Sequence, residues 1–123
     1  MGETEAGRGG LTEPDWTAHC GDLWRGHVLD STGNDICDIV GPSPRSPADW
    51  AAMMRRLSAR AMTGVVGAVH GAPIDHRMAK RGDIVRRGWA LGICRGESAE
   101  FFGGDMVPMS DVDEAWPVHG WTG

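Results

Sequence analysis

The chain has 123 residues, enough for one hydrophobic core and not two. Its net charge of −5, with Lys80 as the sole lysine and no arginine stripe, argues against a nucleic-acid binder. No apolar run approaches the ~18 residues of a membrane-spanning helix, and no basic-then-apolar start suggests a cleaved signal.

Residues 1–10, small, polar and glycine-rich, read as a mobile or draped arm, which we extend to residue 13 as a unit outside the domain. Residues 11–18 are an irregular lead-in carrying Trp16. From His19 the pattern becomes helical: Cys20, Leu23, Trp24, His27 and Val28 recur at helical spacing, and Gly33 is a stop signal. Cys20 therefore falls in the first turn of the first helix.

Residues 35–47 read as a compact irregular connection with an apolar patch at Ile36, Ile39 and Val40. Ser46-Pro47-Ala48-Asp49 is a helix start, with a capping hydroxyl, a proline suited to the first position and an acid in the first turn. That helix is expected to run through Met53, Met54 and Leu57 to Arg60. A weaker helix covers roughly 61–70, diluted by Gly64 and Gly67. The methionines Met53, Met54 and Met62 read as core filler.

The stretch 82–96 changes character. A Gly-Asp turn is followed by Ile84-Val85, a second turn near Gly88, and Trp89-Ala90-Leu91-Gly92-Ile93-Cys94 before Gly96. Glycine-bounded runs of β-branched and aromatic residues predict two neighbouring strands, with Arg86-Arg87 as a solvated turn between them. Residues 99–102 and 106–109 flank Gly103-Gly104-Asp105 as a hairpin, with Pro108 marking an edge. A polar turn over 110–114 leads to Ala115-Trp116 as a last strand. Helices first and an antiparallel sheet afterwards make the chain α+β, one domain over 14–118 with a tail at 119–123.

Three cysteines, Cys20, Cys37 and Cys94, form no zinc-ligand spacing and predict free thiols; neither cofactor nor metal is expected. Cys20 is the candidate nucleophile, and its bland alternative is a packed core thiol. His19 points about 100° away around the helix, and His27 lies two turns further along. His70 and His76 flank a loop from which either could approach Cys20. His119 belongs to the terminal segment and reads as solvated. Trp116 and Trp121, near the carboxy end where little core remains to be filled, suggest docking onto another protein.

The order of these features carries a resemblance. His19-Cys20, the Thr32-to-Asp35 turn, Arg81-Gly82-Asp83-Ile84-Val85, Ala90-Leu91-Gly92-Ile93, Phe102 to Pro108 and Ala115-Trp116 resemble the NlpC-type papain-like cysteine peptidases. They are more similar still to a short phage and prophage family related to those enzymes and common in tail gene clusters. The resemblance spans residues 14–118 and implies a papain-like (NlpC-type) core in which a helix-terminal cysteine attacks a peptide carbonyl. In such peptidases the activating imidazole comes from a strand segment reading roughly Ser-His-Val-Gly, and the matching segment here puts Ala90 at the histidine's place. His19 stands where an acidic or amide residue is usual. A thiol without its base loses most of its rate.

The resemblance thus implies a structural or adaptor protein of the phage tail tip or hub, made in the host cytoplasm and carried in the virion. Its partners would be other tail proteins. The alternative is an active endopeptidase or amidase that acts on peptidoglycan during DNA delivery. A soluble enzyme with unrelated thiol chemistry is a third and weaker reading.

Overall fold

A computed structural model of the protein describes residues 19–118. The arm, Trp16, His119, Trp121 and the tail lie outside the described residues.

Among the described residues four helices come first: α1 (Cys20–Thr32), α2 (Cys37–Val40), α3 (Pro47–Arg56) and α4 (Met62–His70). Five short strands follow: β1 (Ile84–Arg87), β2 (Ala90–Cys94), β3 (Ser98–Phe101), β4 (Met106–Pro108) and β5 (Glu114–Trp116). They form one antiparallel sheet in the order β4-β3-β2-β1-β5. The α+β expectation is met.

Local chemistry sets most boundaries. α1 stops where Gly33 takes the left-handed conformation (φ 79°) and donates its N–H to the Leu29 carbonyl, which suits a residue without a Cβ. α3 starts as the sequence dictates, with the Ser46 hydroxyl accepting from the Asp49 N–H and Pro47 in first position. It ends at Arg56 rather than Arg60, because Ser58 turns to φ 56° and breaks the ladder. The connection after Asp35 is more regular than its composition suggests. The Asp35 carboxylate accepts from the Cys37 N–H and nucleates the single-turn α2.

The sheet has two packed faces. Alternation along the strands sends Ile84, Leu91, Ile93 and Trp116 toward the helices, where they meet Trp24, Val28, Val65 and Val66. It sends Val85, Cys94, Ala99, Phe101 and Ala115 to the other face, covered by Ile74, Ala79, Val107, Met109 and Val112. Trp116, expected to be exposed, is completely buried. β5 inserts beside β1 in the register Ile84↔Trp116, and the indole N–H donates to the Gly71 carbonyl (3.1 Å). Burying that ring removes on the order of 200 Å² from water, so the carboxy-terminal strand is a central part of the core.

Arg86 and Arg87 are strand residues, not a solvated turn. Arg86 lies on the helical face, where its Nε donates to Glu114 (2.8 Å) and its Nη1 to Asp113 (3.3 Å) and the Gly88 carbonyl (2.9 Å). Thr63 of α4 also donates to Glu114. Asp113 in turn accepts from the Gly88 N–H at 2.8 Å. The turn at Gly88-Trp89 is therefore pinned from β5.

The candidate functional site

The site begins with the N-terminus of α1. His19 is the cap residue: its Nδ1 accepts the Gly21 N–H (3.0 Å), and its own N–H donates to Asp22 (3.0 Å). Because Nδ1 is an acceptor, the proton sits on Nε2, which donates to the Pro44 carbonyl at 2.8 Å. Gly21 makes this possible, since a Cβ there would lie 2.8 Å from the His19 ring. Asp22 also receives Arg45 (2.9 Å), and this bond holds its carboxyl below the usual carboxylate range. The imidazole next to Cys20 is thus occupied in ending the helix.

Cys20, Trp24 and Val28 recur every four residues along α1, so the stripe that packs the helix on the sheet also carries the thiol inward. The strand register decides what it meets. Val85↔Gly92 and Arg87↔Ala90 alternate with Arg86↔Leu91, and Cys94 N–H donates to Asp83. Leu91 N–H therefore points away from β1, toward β3. The β3 residue facing it would be Phe102, where the strand has already ended. That amide favours the Cys20 thiolate, as do the amides of Cys20 and Gly21. Burial outweighs them: it pushes the thiol above its ordinary value, and the nearby Asp22 charge adds to the rise.

Over the thiol lies an open cavity of about 240 Å³, lined by Cys20, Arg87, Ala90, Leu91, Phe101, Phe102, Asp105 and Val107. Cys20 and Ala90 thus share one cavity, and Ala90 contributes a methyl group with no proton acceptor.

None of the described histidines lines it. His27 donates to the Gly82 carbonyl (2.7 Å) and ties α1 to the Gly82-Asp83 turn, where Gly82 has φ 97° and the buried Asp83 accepts the Lys80 N–H. His70 lies beneath α1, accepting the Trp24 indole N–H at 3.0 Å, and burial lowers its pKa to about 4. His76 stands beside Asp75 (3.6 Å) in a single 3₁₀ turn. The three cysteines are free thiols. No group of three metal-ligating side chains is assembled among the described residues.

A family model described as a domain of unknown function (DUF6950) matches residues 11–118. The chain belongs to this family. No curated protein and no solved structure matches it.

For this DUF6950 chain, sequence reasoning found Cys20 and Ala90 but missed Arg87, Phe102 and Asp105. The available signal was topological. β1 and β3 end, and β2 and β4 begin, at the same edge of the sheet, so residues at those four boundaries must converge. No helix among the described residues is long and apolar enough to cross a membrane.

Proposed function

We propose that the protein is a structural or adaptor component of a phage tail tip or hub that keeps an NlpC-type core without its hydrolytic chemistry. One observation carries the reading. The cavity over Cys20 holds a methyl group at Ala90 where the resemblance expects an imidazole. The thiol is also raised by burial, whereas a nucleophile of this kind needs a lowered pKa and a base. No described side chain in the cavity could protonate a leaving amine in the manner of an imidazolium, a contribution worth roughly 10²–10⁴ in rate.

The remaining architecture supports an adaptor. The sheet, both faces and the capped helix are fully built, so the loss is confined to the chemistry. The virion would be its place of action and other tail proteins its partners. The second reading, an active cell-wall endopeptidase or amidase, rests on the open cavity and on the backbone amides, Leu91's among them, that favour the thiolate. It requires a histidine beyond those that the described residues place at the cavity.

Proteomics of gradient-purified particles tests the adaptor reading. The chain is expected at fixed stoichiometry with tail proteins. Its absence from particles, with a free pool in the host, would count against the proposal.

A further inference from the structure

The cavity carries a second feature, independent of the thiol. Arg87 and Asp105 both line it, and neither makes an ion pair or a side-chain hydrogen bond among the described residues. They come from strands at opposite sides of the cleft, the end of β1 and the start of β4, with β2 and β3 between. Three strand spacings separate their backbones by about 14 Å. Between them the floor is apolar: Leu91, Phe101 and Val107.

The rim is unusually apolar for an exposed surface. Trp89 is 60% exposed, Met106 55% and Phe102 43%, and all three sit at this one edge of the sheet. Trp89 is held rather than loose. Its ring meets Trp50 of α3 edge-on with centroids 6.2 Å apart, and its turn is pinned by Asp113. A preformed cleft with a cation at one end, an anion at the other and aromatic walls is a recognition surface.

The charges select the occupant. A polyanion such as nucleic acid or an acidic membrane would be repelled by Asp105, and no metal-ligand group is assembled among the described residues. Strand addition is blocked on both edges, by Pro108 in β4 and by the Ile74↔Ala115 bridge outside β5. Recognition must then use side chains across the strand ends.

We propose that this cleft docks an extended segment of a partner polypeptide carrying a basic and an acidic residue on either side of an apolar side chain. The acidic group meets Arg87, the basic group meets Asp105, and the apolar side chain fills the floor between Phe101, Phe102 and Val107. In an extended chain, residues four apart are separated by about 14 Å, the span required. This deepens the adaptor reading, on which it rests for the partner being a protein.

The test uses the full chain and four acetylated, amidated pentapeptides: Lys-Gly-Leu-Gly-Glu, Gln-Gly-Leu-Gly-Gln, Lys-Gly-Leu-Gly-Lys and Glu-Gly-Leu-Gly-Glu. Binding is read from amide shifts of Leu91, Phe102 and Gly104, and from protection of Cys20 against iodoacetamide. The first peptide is expected to bind about fivefold more tightly than the uncharged one, from exposed pairs worth up to ~1 kcal/mol. Arg87→Glu should switch the preference to the double-lysine peptide, and Asp105→Lys to the double-glutamate peptide, each by roughly tenfold. Equal binding of all four, shifts located elsewhere, or an unchanged ranking in both variants would overturn the proposal. Discriminating binding by a protein absent from tail particles would sink the tail reading alone. Tail particles that contain a non-discriminating protein would sink the cleft proposal alone.

Discussion

Lowering the pH from 7 to 5 should weaken this fold through one side chain, His70. Its imidazole accepts the Trp24 indole N–H under α1, and burial lowers its pKa from 6.5 to about 4. The folded state therefore prefers the neutral ring, and the unfolded chain binds the proton first. Stability is fully present above the unfolded value of 6.5 and is lost as pH falls from there toward 4. Between pH 7 and 5 the full shift corresponds to roughly 2 kcal/mol, reduced to about 1 kcal/mol because the ring is partly exposed. Among the described residues no other shifted group interferes in that window. The depressed carboxylates Asp22, Asp35 and Asp75 lose their contributions only below the ordinary carboxylate range. Urea unfolding followed by circular dichroism at pH 7, 6 and 5 measures the effect. His70→Gln retains an acceptor for the indole and has nothing to titrate, so its stability should be flat over the same interval. A wild-type stability that does not fall, or a fall that persists in His70→Gln, would refute the assignment.

His19→Ala removes the α1 cap and should cost about 1 kcal/mol, whereas His19→Asn should keep most of it, both read from urea midpoints. Arg86→Met should cost about 2 kcal/mol in the same assay, because the part-buried Glu114 is left uncompensated, and Trp89 fluorescence should change as its turn loses its anchor. Trp116→Ala empties the centre of the core, at about 3–5 kcal/mol, and is expected to leave little folded protein at 37 °C by circular dichroism.

What the sequence made legible was whatever is decided locally. Gly33, Ser46-Pro47 and the glycines around 82–96 act on their immediate neighbours, so the helix starts and strand ends follow from short stretches. Cys20 at the head of α1 follows in the same way. Long-range pairings set the rest. Arg86 belongs to a strand because Glu114, 28 residues later, lies beside it, and Trp116 is buried because β5 inserts next to β1. His70 meets Trp24 across 46 residues. Within the site, the positions of Cys20 and Ala90 were readable. The opposed charges of Arg87 and Asp105 were not, since only the strand order brings those two loops to one cleft.

The central claim is that Cys20 occupies a cleft in which no described residue supplies an imidazole, and muropeptide release from purified cell walls tests it most directly. Wild type, Cys20→Ser and Ala90→His are assayed side by side, with Cys20 alkylation followed by mass spectrometry across pH. The account predicts no release by the wild type and a Cys20 titration above the ordinary thiol range. Ala90→His should move that titration downward, because it places an imidazole in the cavity. Release by the wild type that disappears in Cys20→Ser would contradict the account.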